Sequence, residues 1–287
     1  MRVEFAEIGG ARTRLYRGGE GPPLLLIHGV GASADIWMRN LEPLARDFAV
    51  FAPDVLDNGF TEQGRYRGGA PQGAMLDHLE AVLDTCGIGE FSAVGSSFGG
   101  LLAALLYLRR PDRLKRLVLV SSGTCFNTEE EVARTLAESY KNGLAAIAAP
   151  SLESCRRRMA NVVFDAACVP EALYLMQLTI YGLANTLPAY ERRMKGLMNV
   201  SGWREHRITD RLDAIRAPTL LVWGRDDPRV VHRRAEEAAR LLPDARLAMF
   251  ERCRHFPQLE HPAEFNRLVR AFLRGEQIAA TAAQTAA

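Results

Sequence analysis

Short apolar runs bounded by glycine, proline or charge recur along the chain, and longer stretches with helical spacing separate them. The runs are PLLLIHG at 23–29, AVFAPD at 49–54, FSAVGS at 91–96, RLVLVSS at 116–122, PTLLVWG at 218–224 and RLAMFE at 246–251. Apolar runs without polar alternation predict strands buried on both faces, and their alternation with helices predicts a mostly parallel sheet with helices on both sides. Two alternating stretches, RVEFAEI at 2–8 and TRLYR at 13–17, precede the first buried run with no helix between them. They predict an antiparallel start, which brings the sheet to eight strands.

The rhythm breaks between 124 and 206, where helix-like stretches near 128–141, 151–164, 170–182 and 186–198 follow one another without a buried strand. This predicts a helical lid at 124–206 inserted into an α/β core made of 1–123 and 207–274. The last stretch, GEQIAATAAQTAA at 275–287, has no apolar stripe to repay its ordering entropy and is expected to be a disordered tail.

Composition narrows the function classes. A 48% hydrophobic chain of 287 residues can fill one large core. Thirty-six Lys and Arg against 34 Asp and Glu leave a net charge of +2, so no electrostatic footprint points to nucleic acid or an anionic membrane. The runs Arg156-Arg157-Arg158 and Arg192-Arg193 read as solvated helix faces. No apolar run reaches the ~18 residues of a membrane span, and MRVEFAEIGG does not read as a secretory signal, so a cytoplasmic protein is expected. Five cysteines without C-x-x-C spacing argue against a disulfide framework or a zinc site, and no metal or other cofactor is expected. The expected partner is a small-molecule substrate, with a homodimer through an exposed apolar edge left open.

The chemistry gathers at loops that follow buried strands. In AVGSSFGG, Gly95 and Gly99 lie two residues either side of Ser97, as a nucleophile on a tight strand-to-helix turn requires, whereas Val94 and Phe98 flank Ser96. The N–H of Phe98, at the start of the next helix, is then one candidate oxyanion donor, and that of Val30 in HGVG, after an earlier strand, is the other. WGRDD places Asp226 and Asp227 at a strand end, and either can orient a histidine. His255, after the last strand, is the candidate base in the order Ser, Asp, His. His261 reads as a helix opener, His232 and His78 fall on helical stretches, and His206 lies where the lid ends. Met159, Tyr174, Met176, Tyr181, Tyr190, Met194 and Met198 are candidates for an adaptable apolar pocket, although helical spacing makes at least half of them packing residues.

With HGVG, GSSFGG, WGRDD and RHFPQLEHPAEFNRLVRAFL in this order, the chain resembles the α/β-hydrolase superfamily over nearly its whole length. The resemblance implies an α/β-hydrolase fold, selects Asp227 as the fourth residue of a G-x-x-D turn, and implies a Ser97–Asp227–His255 triad. WGRDD, EHPAEFNRLVRAFLRG and VVFDAACVPEALYL further resemble the meta-cleavage-product hydrolases, which split a carbon–carbon bond in ring-opened aromatic compounds. That implies a catabolic serine hydrolase, with a carboxylesterase and a non-catalytic ligand-binding protein as the alternatives. Three substrate-contact positions depart from the family pattern: Ser96 stands for asparagine, Phe256 for tryptophan, and Gln177 near the place of a carboxylate-binding arginine. A neutral glutamine there favours an uncharged or differently placed substrate.

Overall fold

The structure, a computed structural model, describes residues 1–278. Its strands are β1 Arg2–Ile8, β2 Ala11–Gly18, β3 Pro23–Ile27, β4 Ala49–Pro53, β5 Phe91–Ser96, β6 Leu114–Val120, β7 Thr219–Gly224 and β8 Ala245–Phe250. They form one sheet in the order β1-β2-β4-β3-β5-β6-β7-β8. β2 pairs antiparallel with both β1 and β4, and every other pairing is parallel. This is the eight-stranded α/β-hydrolase sheet with its antiparallel start. The chain steps from β3 to β4 on one side and returns to β5 on the other, so the ends of β3 and β5 open a crevice between diverging connections.

Helices α1 (Pro71–Thr85) and α2 (Phe98–Arg109) follow β4 and β5. Between β6 and β7 come α3 (Glu129–Ile147), α4 (Leu152–Ala160), α5 (Glu171–Tyr181) and α6 (Thr186–Leu197), then α7 (His232–Leu241) before β8 and α8 (Pro262–Leu273) after it. Capping boxes start α3 at Thr128 with Glu131 and α4 at Ser151 with Ser154, each satisfying two backbone groups at a helix end. α3 continues past the expected end at residue 141, through Asn142 and Gly143. A side chain at Gly143 would collide with the Tyr190 hydroxyl, so the glycine serves packing against α6 rather than ending the helix. α4 is shorter than expected, because the chain turns after Ala160 toward the end of β8.

The expectation for the tail changes in part. Ile278 packs against the core, and the rest of that stretch, from residue 279, lies outside the described residues. Among the described residues no helix is long and apolar enough to cross a membrane.

One buried ion cluster fixes the loops that leave β3 and β4. Arg14 on β2 is 2% exposed and donates through Nε and Nη2 to Asp54 (2.7 and 2.8 Å) and through Nη1 and Nη2 to Asp35 (3.1 and 2.7 Å). Asp54, just after β4, also accepts the Ala34 and Phe60 N–H groups, both at 2.7 Å. Asp35 accepts from the Ser33 and Tyr16 hydroxyls, both at 2.6 Å. Burial alone would raise the Asp35 pKa, but its bonds to Arg14, Ser33 and Tyr16 outweigh that and hold it below the ordinary carboxylate value.

Two histidines extend this scaffold in neutral form. His28 Nε2 accepts the Val55 N–H (3.0 Å), so its Nδ1–H faces the Gly29 carbonyl (2.8 Å). His78 Nδ1 accepts the Leu56 N–H (3.3 Å), which leaves its Nε2–H for the Thr13 hydroxyl (2.8 Å). Burial lowers both pKa values, that of His78 from 6.5 to about 4. The unfolded chain therefore binds more protons between these two values, and the stability held by neutral His78 is complete above about pH 6.5 and lost as pH falls toward 4. Denaturant unfolding should lose roughly 3 kcal/mol from this source across the window. In His78→Gln protein that part of the pH slope should vanish; an unchanged slope would locate the acid sensitivity elsewhere.

Candidate active site

Ser97 sits between β5 and α2 with φ 55°, a left-handed conformation that costs energy for a residue with a side chain. The turn holds because its neighbours are small. A Cβ on Gly95 would lie 2.3 Å from the Gly99 carbonyl oxygen, and one on Gly99 would lie 2.3 Å from the Ile27 oxygen and 2.5 Å from the His28 oxygen. Ser97 N–H donates to Val120 O on β6 (2.7 Å), and Ser97 O accepts from Gly100 N–H (2.9 Å). The backbone thus presents the Ser97 side chain at the crevice above the β3 and β5 ends.

The acid and histidine arrive from β7 and β8. Asp227 Oδ2 lies 2.7 Å from His255 Nδ1, with the aspartate side chain fully out of solvent and the histidine side chain 3% exposed. Asp227 Oδ1 accepts the Arg229 N–H at 2.9 Å. Asp226, by contrast, has an exposed side chain and uses its N–H on Cys253 O (2.9 Å). The His255 ring meets Phe256 edge-on, with centroids 5.0 Å apart. Ser97 and His255 line one cavity, with no direct hydrogen bond between them. Val30 lines this cavity as well, and Phe98 opens α2 beside it. Neither of their N–H groups is taken by a backbone acceptor among the described residues.

The three substrate-contact expectations fare differently. Phe256 and Gln177 line the Ser97 cavity. Ser96 does not: it is wholly buried at the end of β5, and its hydroxyl accepts from Gln258 Nε2 at 3.0 Å. Successive residues on a strand point to opposite faces, which turns Ser96 away from the cavity. Of the seven lid residues singled out for a pocket, Met159 lines this cavity and Tyr181 and Tyr190 line a neighbouring one. Ala32, Ile36 and Gln177 form the wall shared by the two.

The arginine runs are not uniformly solvated. Arg156 and Arg157 face outward to Glu171 and Glu153, but Arg158 turns inward to the Ser97 cavity, and Arg193 is 3% exposed. Burial lowers the Arg193 pKa to about 10, against the pull of Asp57. Arg229 also lines the Ser97 cavity, its pKa lowered by burial and supported by Asp227.

Sequence reasoning also missed Glu260. Its carboxylate accepts the N–H groups of Arg254 (3.1 Å), Phe256 (3.0 Å) and Phe164 (2.6 Å), fixing both flanks of His255. Its place five residues after a candidate base was the available signal.

The α/β-hydrolase fold family model matches residues 22–262, and the chain belongs to this family. Within it the chain resembles the meta-cleavage-product hydrolases. It is 32% identical to the 2-hydroxymuconate semialdehyde hydrolase of Pseudomonas sp. (strain CF600), covering 94% of this chain and 93% of that one. It superposes on a mutant of the meta-cleavage product hydrolase CumD with TM-score 0.77 at 26% identity, covering 95% of this chain and 98% of the other. It also superposes on Est816, an N-acyl homoserine lactone degrading enzyme, with TM-score 0.74 at 26% identity, covering 94% and 100% of the two chains.

The tightness of the elbow yields a direct test. Gly99→Ala drives a methyl group into the Ile27 and His28 carbonyls, backbone that carries the HGVG loop. The variant should lose about 1–3 kcal/mol of stability in denaturant unfolding, and hydrolytic activity should fall with it. Full stability together with full activity would mean that the turn is looser than this packing implies.

Proposed function

We propose that the chain is a carbon–carbon bond hydrolase acting on a ring-opened 2-hydroxy-6-oxo-dienoate, with Ser97, His255 and Asp227 as its triad. The observation that carries this reading is the buried Asp227–His255 pair in a cavity shared with Ser97, in a chain similar throughout to hydrolases of that chemistry. Asp227 fixes His255 as the Nδ1–H tautomer, leaving Nε2 free to act as base. A vinylic carbon is a poor leaving group, so His255 first assists conversion of the dienol to the keto form by moving the hydroxyl proton to the departing carbon, whose bonding electrons can then pass into an enone. His255 then takes the Ser97 proton as Oγ adds to the ketone carbon, and the Val30 and Phe98 N–H groups receive the developing oxyanion. Collapse breaks the carbon–carbon bond and His255 gives the proton taken from Ser97 to the released dienolate; water, deprotonated by His255, then frees the acyl group from Ser97 as an acid, and the proton returns to Oγ.

This small-molecule reaction needs no metal or organic cofactor. We place it in the cytoplasm, a setting supported by five cysteines that are all free. Exposed Val3 and Phe5 on the edge strand β1 are compatible with a homodimer. The second reading, a carboxylesterase, is favoured by the likeness to Est816 and by the neutral Gln177 in the cavity.

Loss of the dienoate's visible absorbance is the deciding measurement, with a short-chain nitrophenyl ester run alongside. Rapid bleaching that Ser97→Ala abolishes supports the carbon–carbon reading, whereas Ser97-dependent ester cleavage without bleaching replaces it with the esterase. Asp227→Asn should reduce kcat by about 10⁴-fold, because the amide imposes the wrong histidine tautomer, while Asp226→Asn should stay near wild type. The reverse ranking would transfer the acid's role to Asp226.

A further inference from the structure

The two arginines of the Ser97 cavity are provided for differently. Arg229 Nη1 donates to the Ser139 hydroxyl (3.3 Å), and Asp227 and Glu138 lie in its field. Arg158 forms no salt bridge among the described residues. Its Nη2 donates to Gly31 O at 2.6 Å and its guanidinium lies 5.2 Å from the Tyr181 ring centroid, but Nη1 is out of solvent with no partner. Burial pulls its pKa below the ordinary arginine value, and only Tyr190 and Cys155 oppose the shift. A guanidinium nonetheless keeps its charge in a protein.

A cation withdrawn from water without a counterion is costly to the fold. The cost has a use where a ligand supplies the missing charge. Gln177, across the same cavity, cannot supply it or accept the ligand's charge. Its Nε2 donates to Met159 Sδ (3.3 Å), and its Oε1 is a buried acceptor without a donor. The cation without a counterion in this cavity is therefore Arg158 on α4, where α5 offers only an amide.

We propose that Arg158 binds the carboxylate of the substrate, with Nη1 as the open donor at the cavity wall. The proposal rests on the dienoate reading above and gives it a specificity-determining residue. Because Nη2 is held by Gly31, next to Val30, the carboxylate end is fixed relative to the proposed oxyanion donors, and that spacing selects which carbonyl reaches Ser97. Acids should be accepted and their neutral esters disfavoured.

Binding can be read without turnover in Ser97→Ala protein by titrating the dienoate and, separately, its methyl ester. The acid should bind more tightly than the ester. Adding Arg158→Met should weaken acid binding roughly 10- to 100-fold, the worth of a charge-assisted bond, and leave ester binding in place. Arg158→Lys keeps the charge without the fork and should fall between, which retains a test if the methionine variant does not fold. Equal binding of acid and ester in Ser97→Ala protein overturns the proposal, as does an Arg158→Met loss shared equally by both ligands or an unaltered acid preference in Arg158→Lys. Bleaching by the Ser97-intact enzyme separates the two readings. An acid preference without bleaching defeats the carbon–carbon assignment and leaves Arg158 as an anion anchor, whereas bleaching without acid preference defeats the anchor alone.

Discussion

The fork of Arg14 is the constraint from which the rest of the site follows. Two carboxylates from loops far apart in sequence, Asp35 and Asp54, converge on one buried guanidinium, and neither loop can shift without leaving a charge unpaired in the interior. Each carboxylate also gathers donors from its own surroundings, so the cluster stiffens the backbone on both sides of β3. The HGVG segment is suspended between this cluster and the Ser97 turn. His28 adds a brace by joining the Gly29 carbonyl to the Val55 amide. Preorganised donors need such stiffness, since a dipole that must reorient during the reaction returns part of what it contributes.

How far the molecule could be read from its sequence depended on how local each demand is. Six of the eight strands were legible because burial on both faces leaves an apolar run, the two antiparallel ones because their residues alternate, and Ser97 because a residue at φ 55° in a crowded turn requires Gly95 and Gly99 as neighbours. Asp226 and Asp227 could not be separated by residue type. The difference lies in tertiary partners, the Cys253 carbonyl for the first and His255 for the second. Arg158 was illegible for a related reason. Three consecutive arginines on a helix point about 100° apart, so they cannot share one environment, yet nothing in the run says which one turns inward. Ser96 was misread as a substrate contact through likeness alone, although the strand pleat that presents its neighbour to the crevice hides it.

The cavity is therefore asymmetric in charge. Around Ser97 the acid is already committed to the histidine, whereas Arg158 in the same cavity retains an unused donor. A neutral, wholly apolar ligand would fill the space but leave that donor stranded, and its affinity would carry that deficit. Selectivity on such a surface arises as much from what the wall penalises as from what it attracts.

The stretch that leaves α4 is stitched to the histidine loop at three successive residues. Val162 O accepts the His255 N–H, Val163 O accepts from Arg254 Nη1, and Phe164 N–H reaches Glu260. A helical layer fastened there cannot lift away as a rigid cover without dragging the histidine off its aspartate. Any opening of this layer would have to swing about this seam rather than lift from it. In such an opening the Asp227–His255 pair would stay on the still side of the hinge, bonded throughout.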